Sequence, residues 1–145
     1  MPARTRQAGL PAWTCPDCNR RFSRAGQSHD CAPAMSLDEY FSTGPVHERA
    51  IFEAVMEHLR KIGPVHVEPV SVGIFLKGRR KFAELRPMQR WVAVSFSLRR
   101  AVAHRTITRK VQPYNGRYYH VANVRTPADL DDSLRGWLTE AYLDD

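Results

Sequence analysis

Cys15-Pro16-Asp17-Cys18, then ten residues, then His29-Asp30-Cys31 gather every cysteine of the chain and one histidine into a single short segment. Zinc takes four nitrogen or sulfur ligands at tetrahedral angles, and two cysteines separated by two residues wrap a tight turn that lets both sulfurs converge. His29 and Cys31 stand at i and i+2 and cannot share a helix face, so the chain must leave helical geometry between them. The pattern predicts one structural Zn²⁺ held by Cys15, Cys18, His29 and Cys31. Four protein ligands close the coordination sphere, so the role expected of the metal is structural rather than catalytic. Asn19-Arg20-Arg21-Phe22 reads as the return of a small knuckle with Phe22 as its large core residue. Arg24 to Ser28 would form a turn or short helix that delivers His29. So short a stretch buries too little to order itself, and the metal is expected to be required. The alternatives are reduced surface thiols or a Cys-x-x-Cys redox pair. No βαβ pattern surrounds the motif, which counts against the redox reading.

A second set of residues carries charge. Between Leu76 and Gln112 lie Lys77, Arg79, Arg80, Lys81, Arg86, Arg90, Arg99, Arg100, Arg105, Arg109 and Lys110, with Glu84 the only acid. After Thr126 the balance reverses, with Asp129, Asp131, Asp132, Glu140, Asp144 and Asp145 against Arg135. Arg20, Arg21 and Arg24 add basic groups beside the cysteines. One reading is a phosphate-gripping surface for DNA or RNA, where counterion release makes affinity fall with salt. Trp91, Tyr114, Tyr118 and Tyr119 would add stacking if they lie exposed on a sheet, and zinc knuckles use such Arg and aromatic neighbours on nucleic acid. The other reading is a solvated outer face, partly paired with the acidic C-terminal segment, in a protein-interaction or small-ligand-binding module whose sheet and helices enclose an apolar pocket and whose zinc is purely structural.

Signatures of catalysis are missing. No G-x-S-x-G, H-E-x-x-H, Walker loop or dinucleotide fingerprint occurs. Outside the knuckle stand His47, His58, His66, His104 and His120. His58 falls on an apolar helix stripe, where a packed histidine is expected; His104 and His120 flank the basic region, where acid–base chemistry is conceivable. Glu68 and Glu84 are the isolated carboxylates of the strand region, a poor start for a Mg²⁺ site. A non-enzymatic protein is expected, with an uncharacterised hydrolase or nuclease as the alternative.

These groups need elements to position them. Residues 1–12 lack periodicity and read as a flexible arm, 13–33 as the zinc knuckle, and 34–145 as the main domain. Ser36-Leu37-Asp38-Glu39 has the S-x-x-E capping-box pattern and opens a short helix to about Phe41. A longer helix runs from about Pro45 to Ile62, with Ile51, Ala54, Val55, His58, Leu59 and Ile62 on one stripe, and Gly63-Pro64 stops it. The period then drops to two. The strands expected are Val65–Val70, Val72–Lys77, Lys81–Arg86, Arg90–Leu98, Ile107–Tyr114 and Arg117–Arg125. Val92, Val94, Phe96 and Leu98 should face one way, and Trp91, Ala93, Ser95 and Ser97 the other. Gly78-Arg79-Arg80 is a plausible turn, and Asn115-Gly116 suits a type I′ hairpin. Thr126-Pro127-Ala128-Asp129 should start a last helix that buries Leu130, Leu134, Trp137, Leu138, Ala141 and Tyr142. Helices before and after a run of strands argue an α+β fold: a mainly antiparallel sheet of five to six strands, covered by two longer helices.

The chain has 145 residues and a formal net charge of +7. Three thiolates and one Zn²⁺ together would add about −1. No apolar run reaches the roughly 18 residues of a membrane span, and no secretory h-region follows the first residues. Cysteines confined to one metal-type motif suit a reducing compartment, so a cytoplasmic protein without a membrane partner is expected.

The string CPDCNRRFSRAGQSHDC, with the strands GRRKFAELRP and RWVAVSFSL and the closing TPADLDDSLRGWLTEAY, resembles a family of small, mostly actinobacterial proteins of unknown function. The likeness spans nearly all of residues 13–143. It implies a zinc-binding N-terminus at Cys15, Cys18, His29 and Cys31 joined to an α+β domain, and it implies no activity.

Overall fold

Alternation in the strand segments decides which face of the sheet is wetted, and the register shows it directly. A computed structural model describes residues 9–144. The first eight residues of the expected N-terminal arm therefore lie outside the described residues. Two short strands, β1 (Trp13–Thr14) and β2 (Arg21–Phe22), pair antiparallel in the cysteine segment. Helices α1 (Leu37–Phe41) and α2 (Val46–Arg60) follow. Strands β3 (His66–Val70), β4 (Gly73–Lys77), β5 (Lys81–Pro87), β6 (Val92–Leu98), β7 (Gln112–Tyr114) and β8 (Arg117–Val124) form one antiparallel sheet, in the order β3-β4-β5-β6-β8-β7. Helix α3 (Asp132–Leu143) closes the chain. The α+β class, the antiparallel sheet and its helical cover are as expected.

Local chemistry sets the element ends. The Glu39 amide donates to Ser36 Oγ at 3.1 Å and the Ser36 amide to Glu39 Oε1 at 3.0 Å, completing the capping box of α1. Asn115 and Gly116 have φ of 50° and 76°, the left-handed values that a type I′ turn between β7 and β8 requires.

Val92, Val94, Phe96 and Leu98 of β6 pair with Val124, Ala122, His120 and Tyr118 of β8, and this face meets the helices. Ile51, Phe52, Val55, Met56 and Leu59 of α2 and Leu134, Leu138, Ala141 and Tyr142 of α3 pack into the same core. Phe52 and Met56 extend the expected α2 stripe, while Ala54, His58 and Ile62 sit at its half-buried margin. The opposite face carries His66 and Glu68 on β3, Phe75 and Lys77 on β4, Glu84 on β5, Ser95 and Ser97 on β6, and Tyr119 on β8.

Two expectations change. Of Ile107–Tyr114 only Gln112–Tyr114 is strand. The preceding loop is held instead by side chains and single amides, with the Asn123 amide donating to Thr106 O at 2.9 Å and Asn123 Nδ2 to Thr108 Oγ1 at 3.1 Å. The last α-helix starts at Asp132 rather than after Thr126. Thr126 and Asp129 cap each other around a short 3₁₀ turn, Pro127–Asp129. Leu130 then leaves helical geometry to enter the core, and Asp131 caps α3 through the Leu134 amide at 3.0 Å.

Candidate metal centre

The knuckle turn is built by the backbone: the Asn19 amide donates to Cys15 O at 2.9 Å, and the Cys15 amide to Arg20 O at 2.8 Å. Asn19 takes φ of 62°, the left-handed turn position this residue type tolerates better than most. Cys15 and Cys18 are thereby buried side by side, while the half-buried His29 and exposed Cys31 close over them from the returning chain. The four ligand atoms lie within 4.8 Å of one another. Cys15 Sγ and Cys31 Sγ are 3.9 Å apart, and His29 Nε2 stands 3.4 Å from both Cys18 Sγ and Cys31 Sγ. A tetrahedron built on Zn–S and Zn–N bond lengths has S···S edges of about 3.8 Å and S···N edges of about 3.6 Å. The donor set and its spacing therefore fit a single tetrahedral ion.

The surroundings orient His29 and act on Cys15 and Cys31 in opposite senses. His29 Nδ1 donates to Gln27 O at 2.6 Å, which leaves Nε2 with its lone pair aimed at the sulfurs. Phe22 stacks on the His29 ring at 4.0 Å between centroids, and Trp13 meets it edge-on at 6.2 Å. The Cys18 backbone N–H lowers Cys15 to about 7, while desolvation and the neighbouring Cys15 and Cys18 sulfurs push Cys31 up to about 11. A divalent cation among the three sulfurs would reverse that repulsion.

The module is fastened to the β3–β4 end of the sheet by one carboxylate. Glu68 is 1% exposed. It accepts from Arg20 Nε at 2.8 Å, Lys77 Nζ at 2.8 Å, the Arg21 amide at 2.9 Å and His66 Nε2 at 2.9 Å. Burial opposes its charge, but the hydrogen bonds from His66, the Arg21 amide, Lys77 and Arg20 outweigh it and hold the carboxyl well below the ordinary range. Lys77 also donates to Arg21 O at 2.6 Å and lies 4.0 Å from the Phe22 ring centroid. Arg20 donates to Asp30 O at 3.1 Å and stands over Phe75 and Phe22.

The expected basic surface is consequently divided. Arg20 and Lys77, expected on a phosphate-facing surface, are buried at 7% and 3% exposure around Glu68. Lys81 is held by Glu84 at 2.7 Å, Arg99 by Asp144 at 2.8 Å, Arg100 by Glu140 at 2.9 Å and Arg105 by Asp129 at 3.1 Å. Arg21 is half-buried and donates to Pro11 O at 2.7 Å, whereas Arg24, Arg79, Arg80, Arg109 and Lys110 are exposed. Arg79, Arg80 and Arg99 border one groove together with Ser23 and Asp144. The aromatic residues divide as well: Tyr114 and Tyr119 are exposed, Tyr118 is half-buried, and Trp91 is half-buried beneath Arg125.

Four of the histidines outside the knuckle, His58, His66, His104 and His120, are engaged structurally, whereas His47 Nε2 is buried without a hydrogen-bond partner among the described residues. His104 bridges Thr106 Oγ1 and Asp131 Oδ2, each at 2.8 Å. His120 is fully buried against Phe96 and accepts from the Val102 amide at 3.0 Å, and burial draws its pKa down. His58 Nε2 meets Arg135 O and Thr139 Oγ1 on α3, the packed boundary role expected of it. Sequence reasoning passed over Glu68 as an anchor. The available signal was a lone acid on a strand, with His66 on the same face and a basic knuckle elsewhere in need of a counter-charge.

The family described as a domain of unknown function (DUF5655) matches residues 37–144, and the chain belongs to that family. The match begins after the cysteine segment, so the Cys/His cluster lies outside it. Comparisons with curated proteins and with solved structures each found no match. Among the described residues no helix is long and apolar enough to cross a membrane.

Proposed function

We propose that this DUF5655 protein is a non-enzymatic binding module in which one structural Zn²⁺, held by Cys15, Cys18, His29 and Cys31, forms an N-terminal cap that Glu68 locks onto the sheet. The observation that carries the reading is the Glu68 junction. It spends two of the cations otherwise available to a polyanion, Arg20 and Lys77, on fixing the cap. Zinc would supply folding energy to a segment whose own core is Cys15, Cys18 and Phe22 with Trp13 packed beside them. Four protein ligands leave no open position for a substrate, which supports a structural metal. The binding face is then the part of the sheet that the cap leaves uncovered, around β5, β6 and β8.

A second reading, contact with DNA or RNA, is favoured by the groove that Arg79, Arg80 and Arg99 border. One experiment separates the two: native mass spectrometry of protein purified without chelator, followed by fluorescence anisotropy with random-sequence single-stranded and duplex DNA and RNA at several salt concentrations. One zinc per chain with no micromolar binding is the expected result. Well under one zinc refutes the structural-metal reading, and micromolar binding with a steep salt slope moves the function to nucleic acid.

A further inference from the structure

The uncovered part of the sheet is not flat. Strand pairing between β5 and β6 runs from Pro87/Val92 to Ala83/Phe96 and stops there, although β5 begins at Lys81 and β6 continues to Leu98. Beyond that pair β5 and β6 are no longer paired, while β6 stays paired with β8 on its other edge through Leu98/Tyr118. The gap opens a cleft of about 630 Å³ that reaches through to Phe82 and to Ala141 on α3. This volume lies inside the roughly 300–1,000 Å³ range of small-molecule sites.

The lining of the cleft is mainly apolar, with a few polar groups set into it. Ser95 and Glu84 lie in it at 5% and 8% exposure, and Ser97 and Tyr119 stand beside them on the same face. Ser95 stands beside Glu84 across the β5–β6 pair and lines the cleft. Glu84 is already neutralised by Lys81 Nζ at 2.7 Å and by Arg86 Nη2 at 3.3 Å. Lys81 has three N–H donors and uses one of them on Glu84, which leaves donors at the mouth. Arg80 and Arg117 border the same opening, with Arg117 tied to Asp144 Oδ2 at 2.8 Å, so the cation offered to a ligand is Lys81. The apolar body of the cleft thus ends at a cationic rim whose one carboxylate is compensated.

We infer that this cleft binds a small amphipathic anion, with an aromatic or acyl body lying in the β5–β6 gap against Phe82 and Tyr119 and a single carboxylate- or sulfonate-like head at Lys81. The inference rests on the binding-module reading and gives that module a ligand class. A body of ten to twenty heavy atoms fits the volume, and typical ligand efficiencies put the affinity at about 10–100 μM. A polyphosphate or nucleic-acid strand is a poorer fit, since the deep walls are apolar and hold a carboxylate.

The test uses the full zinc-loaded chain and two probes of similar shape: anionic 8-anilinonaphthalene-1-sulfonate and neutral N-phenyl-1-naphthylamine. Fluorescence titration should give one saturable site for the anion, with the neutral probe about fivefold weaker or more. Ser97→Leu, which fills the cleft, should weaken both probes at least tenfold. Lys81→Met, which keeps the stem and removes the charge, should weaken only the anion, by about five- to tenfold. Near-UV circular dichroism and zinc content are read on each variant, and Tyr119→Ser at the rim takes the place of Ser97→Leu if that chain does not fold. Equal affinity for the two probes, with Lys81→Met silent and the filling variant still blocking, overturns the anion class and leaves the cleft as the binding site. No saturable binding, or binding indifferent to the filling variant, overturns the cleft itself. The zinc content stays near one per chain in either case if the structural-metal reading holds.

Discussion

Replacing Glu68 by alanine removes the shared acceptor of a buried junction, and the cost follows from what is left behind. Arg20 and Lys77 are 7% and 3% exposed and lose the carboxylate they share, while the Arg21 amide and His66 lose an acceptor. Arg20 keeps Asp30 O and Lys77 keeps Arg21 O, so neither is stripped of every partner. Breaking a buried ion pair from one side costs about 3–5 kcal/mol. For a chain of this size that corresponds to a fall in thermal midpoint of roughly 10–20 °C. Urea denaturation followed by circular dichroism measures the loss, and Trp13 fluorescence in a Trp91→Phe, Trp137→Phe background reports whether the cap leaves the sheet first. The triple variant Arg20→Met, Glu68→Met and Lys77→Met should recover most of the loss, because apolar replacement of a whole buried network is often neutral or better. A loss below about 1 kcal/mol for Glu68→Ala, the value of a surface pair, would refute the reasoning. So would a triple variant no more stable than the single one.

The same carboxylate sets an acid limit. Its folded pKa lies well below the ordinary value near 4.3, so its contribution is fully present above that value and is lost as pH falls through the folded pKa. Stability should drop by about 2 kcal/mol between pH 5.5 and 3, and this slope should be missing in Glu68→Gln when both are followed by denaturant titration. Glu48 has the opposite sign. It is fully buried, accepts from Tyr40 Oη, and burial raises its pKa, so rising pH takes stability away between the unfolded and folded values. Glu48→Gln keeps the acceptor and should stabilise the chain by about 1 kcal/mol at pH 7, with a smaller gain at pH 5; a loss at both would show that the carboxylate is needed charged. Dialysis of Cys18→Ser should leave well under one zinc per chain by native mass spectrometry, against one for the wild type. Gly73→Ala would place a Cβ 2.6 Å from Leu85 O, a backbone atom that cannot swing aside, and should cost about 1–3 kcal/mol in urea.

The Cys15, Cys18, His29 and Cys31 cluster was legible because its chemistry is local. Two cysteines in one turn, and a histidine and a cysteine in another, bring four donors together by spacing and residue type alone, and the returning chain has few other ways to satisfy them. The same holds for the Ser36 box, the Asn115-Gly116 hairpin and the alternation of β6, each decided by neighbours within a few residues. Even the polarity of the chain, basic in the sheet and acidic after Thr126, could be read directly.

What that polarity does could not, because pairing across the fold depends on which residues share a face and at what distance. Arg20 and Glu68 are 48 positions apart, and Arg99 and Asp144 are 45; no spacing rule links them. Tertiary structure converted half of a suspected phosphate surface into internal contacts and a buried junction. It also opened the cleft, since β6 pairs with β8 on one edge out to Leu98/Tyr118 while its pairing with β5 on the other edge ends at Ala83/Phe96, a difference the sequence of neither β5 nor β6 expresses. Sequence fixes the reach of each side chain and its affinity for charge or water; only the closed sheet determines which partners are within that reach.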